Sequence, residues 1–297
     1  MAILNRIFGK SAKQSTEDQI KEQGFEISTC SETCDDCTAK FPKSLSFEED
    51  ANLWQSTKPY GLHLNVATGR TDWPHDATGT PNTLSNAVAK WAKKHGDCPI
   101  GTIKVTCSSL ANDELFSDED YITEQTGDVL VLPYFLWIKG LKIADVDKVL
   151  SKLLYILSTT EHDKLQVQDI QAQIPQIIPD INMAYILLCS HRTRDKRCGV
   201  TAPIMKREME MYLRELDLYR DMCDNSPGGV NVGYINHIGG HKYAANVIIY
   251  LKSSGKNIWL ALCKPNNVRP IIDECILHGK VWPDKVRLVQ KFNPIEW

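Results

Sequence analysis

The chain has 297 residues, 42% hydrophobic and 24% charged, the balance of a soluble globular protein; at roughly 150 residues per domain, that length predicts about two domains. Lys+Arg number 34 against 37 Asp+Glu, a net charge of -3, which argues against a general nucleic-acid binder with its basic excess or basic face. The longest apolar run, Val129–Ile138, is interrupted by Pro133 and falls well short of the about 20 residues that a membrane span needs.

Residues 1–50 read as a polar N-terminal tail. Met1–Gln14 carries Arg6, Lys10 and Lys13 but no long apolar core and no small-residue cleavage pattern. It reads as a flexible tail rather than a secretory signal, with a mitochondrial presequence as the alternative. The ten cysteines are then expected as thiols or metal ligands in a reducing compartment. Cys30, Cys34 and Cys37 form a tight group, and Cys34-Asp-Asp-Cys37 has the Cys-x-x-Cys spacing of redox motifs. Its acidic neighbours Glu32, Asp35 and Asp36 raise a thiol pKa and blunt its reactivity, so a structural or incidental role is expected.

Residues 51–165 are expected to form the first domain, of class α/β. Gly61–Ala67 alternates, with Leu62, Leu64 and Val66 on one face of a strand. Thr83–Lys94 reads as a helix, Gly101–Cys107 as a strand, Asp128–Phe135 as a buried strand and Ala144–Leu157 as a helix. A Gln/Pro-rich linker spans 166–180, where Pro175 and Pro179 break any long helix.

Residues 181–297 are expected to form the second domain. Met183–Leu188 is a continuous apolar strand. Thr201 can cap a helix that has Pro203 in its first turn. Val230–Ile235, Asn246–Leu251 and Ile258–Leu262 read as strands, and Val268–His278 as a helix. The halves share this order of elements, and Ala67-Thr-Gly-Arg-Thr71 resembles Cys189-Ser-His-Arg-Thr193. An internal duplication is inferred. Aligned without gaps, Ala67 stands where Cys189 stands and Asp76 where Cys198 stands, leaving the first half without metal-binding groups.

The chemistry concentrates in two separated pairs, Cys189 with Cys198 and His237 with His241. Thiolate and imidazole suit zinc and iron–sulfur clusters. Both cysteines flank one loop leaving a buried strand, and Gly239 and Gly240 let the histidine loop turn tightly past a bulky group. Spacing alone leaves the metal open: Cys2His2 is a common zinc set, but zinc pairs usually lie closer than these two cysteines. Arg192, Arg194, Lys196 and Arg197 in the cysteine loop are candidates for tuning a metal centre or docking an acidic redox partner. His191, between the cysteines, is the runner-up ligand. His63, His75, His95, His162 and His278 have no partner at ligand spacing. No P-loop, dinucleotide fingerprint or serine-nucleophile motif appears.

Leu188–Pro203 and Asn236–Tyr250, together with Thr71-Asp-Trp-Pro-His-Asp76 and Val129–Trp137, resemble the sucrase/ferredoxin-like family. The resemblance covers most of the chain after about residue 55. It implies two thioredoxin-like halves and a [2Fe–2S] cluster in the second alone, held by Cys189, Cys198, His237 and His241. Two thiolates and two neutral imidazoles would make the oxidised site about 0 in charge rather than the about -2 of four thiolates, which raises the potential. Reduction would also favour protonation at the imidazoles. The implied function is one-electron transfer, with or without proton coupling, in redox homeostasis under oxidative stress, rather than turnover of a substrate. The "sucrase" of the family's name finds no support, since no carboxylate pair for glycoside hydrolysis is identifiable. The rival reading is a zinc-stabilised interaction module without redox activity.

The partners expected are a flavoprotein reductase as electron donor and, through the terminal Ile295-Glu296-Trp297, the cytosolic iron–sulfur assembly machinery, since such tripeptides resemble the termini by which its clients are recognised. No nucleic acid and no membrane are expected. The expected location is cytoplasmic, with the nucleus as a further address and the mitochondrion as the alternative.

Overall fold

The computed structural model describes residues 14–35, 37–96, 98–161 and 165–295. The first element among the described residues is helix α1 (Thr16–Glu22), capped by Ser15, whose hydroxyl accepts the Asp18 N–H. It leads into a two-residue strand β1 (Glu26–Ile27).

The first half follows: β2 (Leu62–Ala67), α2 (Leu84–Lys94), β3 (Ile103–Ser108), the short α3 (Glu119–Ile122), β4 (Thr126–Leu132), β5 (Leu136–Lys142), α4 (Val146–Thr159), α5 (Val167–Gln173) and β6 (Ile177–Pro179). The second half comprises β7 (Ala184–Cys189), α6 (Lys196–Glu215), β8 (Val230–Ile235), β9 (Val247–Leu251) and β10 (Lys256–Leu260). It continues with α7 (Val268–Pro270), which runs into a π-helical turn over Ile271–Leu277, then β11 (Lys280–Val281) and β12 (Val286–Lys291). No helix among the described residues is long and apolar enough to cross a membrane.

Ten strands form one mixed sheet in the order β12-β10-β9-β7-β8-β3-β2-β4-β5-β6. The halves repeat one pattern about its middle. In the first, β2 runs parallel to β3 and antiparallel to β4, which pairs antiparallel with β5. In the second, β7 runs parallel to β8 and antiparallel to β9, which pairs antiparallel with β10. With α2 and α6 as the crossovers, each half has the β-α-β…β-β order of a thioredoxin-like unit. The halves meet where β3 and β8 pair antiparallel at Ser108 opposite Ile235.

Strand alternation sends the two faces of β2, β4, β7 and β9, which are buried along their whole length, into different cores. Leu62, Leu64 and Val66 point into one apolar core with Val129 and Val131, under α2 and α4. Ile186 and Leu188 point into the second core, under α6. The alternate residues, among them Leu130, Leu132, Tyr185, Leu187, Tyr250 and Trp259, share a third apolar cluster. The outer faces of the two half-sheets therefore pack against each other.

Three expectations need correction. The Gln/Pro-rich segment is not a free linker: it forms α5 and then β6, which pairs with β5 as an edge strand. Residues 14–50 are not a loose tail either. Ile20 and Phe25 are buried in the second half's core, β1 pairs with β11, and the Trp282 indole donates to the Cys30 carbonyl at 2.9 Å. Met1–Lys13, Glu296 and Trp297 lie outside the described residues, while Ile295 is buried in the first half's core. The gapless alignment also fails beyond the strands. Residues 190–195 separate β7 from α6, whereas residues 68–83 separate β2 from α2. Ala67 does end its strand where Cys189 ends β7, but Asp76 lies in the longer loop, and the third residue of α2, where α6 carries Cys198, is Asn86.

Replacing Ile20 with Ala should lower unfolding free energy by about 2–5 kcal/mol, the usual cost of truncating a fully buried aliphatic side chain. Urea denaturation followed by circular dichroism measures this, and an unchanged midpoint would mean that α1 does not belong to the core.

Candidate metal centre

The centre is built where β7 ends and α6 begins. Cys189 is the last residue of β7 and Cys198 lies in the first turn of α6. Asp195 starts that helix, accepting the Arg197 N–H at 2.8 Å and chelating its guanidinium at 3.0 and 2.9 Å. The expected cap at Thr201 is therefore replaced by Asp195. Thr201 instead donates to the Arg197 carbonyl at 2.9 Å, and Pro203 sits inside the helix. Starting the helix at Lys196 turns Cys198 back toward Cys189.

His237 and His241 come from the loop after β8. Gly239 and Gly240 both adopt left-handed backbone, with φ of 84° and 76°, which glycine takes at little cost. The turn folds His241 back onto His237: the rings lie 5.1 Å apart, with His241 Nδ1 3.3 Å from His237 Nε2. His237 Nδ1 lies 3.8 Å from Cys189 Sγ. The donor atoms of Cys189, Cys198 and His237 all lie within 4.8 Å of one another, a group that can hold a metal ion. His241 stands beside this tight three rather than within it.

The thiols are prepared for a metal. Hydrogen bonding from Cys198 lowers the Cys189 thiol; burial opposes this, and His237 and the Ile238 N–H assist it. Cys198, donating that proton, is pushed well up. The two thiols hydrogen-bond to each other, and a metal bound here would displace the proton between them.

The first half frames this loop. Its Thr71–His75 segment accepts Ser190 Oγ on the Thr71 carbonyl at 2.7 Å, and Asp72 accepts the Thr193 N–H and hydroxyl at 3.1 and 2.7 Å. Arg194 donates to His75. His191, 1% exposed, is no ligand. Its Nδ1 accepts the backbone N–H of His237 at 3.1 Å and its Nε2 donates to the Trp73 carbonyl at 2.9 Å, with the Trp73 ring edge-on at 5.8 Å. Both partners fix one tautomer. Of the basic residues in the loop, Arg194 and Arg197 are engaged by His75 and Asp195, and Arg192 packs where a Cβ on Gly199 would lie 2.3 Å from its own.

The N-terminal segment closes another side. Phe47 packs on Cys189, Cys198 and Ala244. Cys34 and Cys37 stand apart from the centre, lining a cavity of about 500 Å³ with Phe41 and Phe47. Burial and a hydrogen bond to Cys34 raise the Cys37 thiol. Cys107 and Cys263 are core thiols, each pushed up to about 12 by burial. His63, His95 and His278 have hydrogen-bond partners elsewhere, and His162 lies outside the described residues. Sequence reasoning missed Trp73, Asn236 and Arg287 as supports of the site. Trp73 and Asn236 left a signal, in the Thr71–Asp76 and Asn236–Tyr250 motifs, and Arg287 left none.

Fold and site together define a thioredoxin-like protein of two halves, with a Cys/His group able to hold a metal in the second. The chain belongs to the sucrase/ferredoxin-like family, whose model matches residues 53–288. It is 34% identical over 258 residues to actin patches distal protein 1 of Saccharomyces cerevisiae, covering 84% of this chain and 80% of that protein. Altered inheritance of mitochondria protein 32 of Saccharomyces kudriavzevii is 23% identical over 86% of each chain. Its namesake in Meyerozyma guilliermondii is 36% identical over 108 residues, 36% of this chain and 35% of that protein. No solved structure matches.

His191→Ala removes both the acceptor of the His237 N–H and the tie to Trp73. Zinc affinity of the purified protein, measured by chelator competition, should fall about 10–100-fold, as for other groups that orient metal ligands. Unchanged affinity would show that the loop is set without His191.

Proposed function

We propose that this protein is a one-electron carrier whose redox group is a [2Fe–2S] cluster held by Cys189, Cys198, His237 and His241. The observation that carries the reading is the convergence of two thiols and an imidazole on one spot, with the second imidazole against the first. The donor set fits such a cluster, since thiolate and imidazole both ligate iron. A cluster held here supplies a one-electron couple.

The protein's own residues give the centre two unlike sides. Cys189 and Cys198 are 3% and 1% exposed, while the His241 side chain is 44% exposed. An electron would therefore enter and leave on the imidazole side, and the cysteine side would stay dry behind Phe47. The basic loop beside His241 suits an acidic partner, and a flavoprotein reductase is the donor class, because a flavin divides two-electron donors into single electrons. Acting as a carrier in redox homeostasis, the protein needs no substrate site of its own.

A second reading is kept by one observation: three donors mutually within 4.8 Å also suit a single zinc ion with structural ligation. Colour separates the two. Freshly purified protein should absorb in the visible and give a paramagnetic signal on reduction, and Cys189→Ala or Cys198→Ala should abolish both. His237→Cys or His241→Cys should keep a cluster, with a potential lower by on the order of 100 mV for the added negative charge. Colourless protein carrying stoichiometric zinc would establish the second reading instead.

A further inference from the structure

Arg287, on β12, is 2% exposed. Its guanidinium donates to Ser56 Oγ at 2.9 Å, the Ser56 carbonyl at 3.1 Å, the Gly239 carbonyl at 3.0 Å and Asn246 Oδ1 at 2.8 Å. Every one of these acceptors is neutral, and no carboxylate pairs with it among the described residues. The rings of Tyr243 and Trp259 lie 5.5 and 5.8 Å from its Cζ, which offsets part of the cost of burying a cation. Burying one without a counter-ion remains expensive, and a neutral side chain could tie the same loop.

Its place gives the charge a use. Gly239 lies midway between His237 and His241, and a Cβ on Gly240 would come 2.6 Å from Arg287 Nη1. The loop between the two histidines thus wraps directly over the guanidinium. Lys104, half-buried over Tyr60 and Trp259, adds a second cation on this side, its charged form disfavoured by desolvation first and by Arg287 second.

We infer that Arg287 supplies a fixed positive charge that stabilises the reduced state of the centre and so raises its reduction potential. This rests on the redox reading above. A one-electron donor, such as a reduced flavin, adds one negative charge to a site that is about neutral when oxidised. A fixed cation nearby favours the product of that step over its reactant. Arg287 is a positioning and charge-setting residue, since it touches the ligand loop and not the metal.

The test is the midpoint potential of cluster-loaded protein, by dye-mediated spectrophotometric titration, for wild type, Arg287→Gln and Arg287→Lys. The lysine variant is read from about pH 7 down to about pH 5, because a fully buried lysine can titrate as low as about 5–6, and its value at the lowest pH is the one compared. Arg287→Gln should make reduction at least tenfold less favourable, about 59 mV for one electron, with the iron content and paramagnetic signal of wild type. Arg287→Lys keeps the charge but loses most of the hydrogen bonds, and should stay within threefold of wild type. Equal loss in both variants would make Arg287 a loop tie, and no loss in the Gln variant would overturn the charge effect. If Arg287→Gln does not hold iron, a tenfold loss in the lysine variant alone overturns the inference. A colourless wild type without a one-electron couple would overturn the redox reading and this inference together.

Discussion

The antiparallel joint between β3 and β8 decides where everything else falls. Ser108 sits opposite Ile235, and the flanking residues extend the joint. Ser109 donates its N–H to the Tyr234 carbonyl at 2.9 Å, and its hydroxyl accepts the Tyr234 N–H at 2.9 Å. Asn236 donates its N–H to the Cys107 carbonyl at 3.0 Å and accepts the Cys107 N–H on its side chain at 2.8 Å. Parallel strands in each half end on this seam, so the loops that follow them meet across it. The residue after Asn236 is His237. One candidate ligand is thus anchored to the first half through its neighbour's side chain and through His191.

Away from the seam, a buried polar chain crosses between the outer faces of the half-sheets. Asn257 donates its amide to the Ile249 carbonyl at 3.0 Å, which leaves its oxygen to accept from Tyr60 at 3.0 Å. Tyr60 then accepts from the Trp259 indole at 2.9 Å and from Tyr250. With its hydroxyl proton used, Tyr250 accepts from His63 Nδ1 at 2.8 Å, and His63 Nε2 accepts from Thr106 at 2.7 Å. Burial, with Lys104 as a smaller contributor, pushes the imidazole of His63 down to about 3, so it stays neutral throughout the physiological range. Every link has a defined direction. A slip of either half-sheet would leave several of these groups unpaired in an apolar layer, a large cost. The chain therefore fixes the register of the halves as apolar packing alone would not.

How far the sequence could be read follows from the range of each interaction. β2, α2, β7 and β8 were legible because their pattern is local: alternation or helical spacing, with Thr83 as a cap. The four donors stood out because cysteine and histidine are scarce and were grouped. β5 escaped because Leu136–Lys142 follows a proline and mixes buried with half-buried positions. β6 escaped because Pro175 and Pro179 suit an edge strand as well as a linker. The start of α6 was misplaced because Thr201-Ala-Pro203 imitates a helix start while Asp195 makes one. Residues 14–50 looked like a tail because Ile20 and Phe25 are isolated apolar residues among polar ones, and what buries them lies in the other half of the sequence. Arg287 carries no local sign at all: its meaning comes from Ser56, Gly239 and Asn246, which only the fold brings together.

The contrast between the halves has a physical logic. Ala67 ends β2 where Cys189 ends β7, and Asn86 holds the helical position of Cys198, so the first half offers no thiol at the matching places. A loop that must carry a cysteine from strand to helix has to be short and directed, as residues 190–195 are. The loop at 68–83 is under no such constraint. It is long enough to reach across the seam, where Thr71, Asp72, Trp73 and His75 bond Ser190, Thr193, His191 and Arg194 in turn. Those bonds take up polar groups that the cysteine loop would otherwise expose to solvent or leave mobile. A group of metal donors is held better when its backbone is already fixed than when the metal must fix it. The absence of donors in one half and the rigidity of the donor loop in the other are thus two sides of one arrangement.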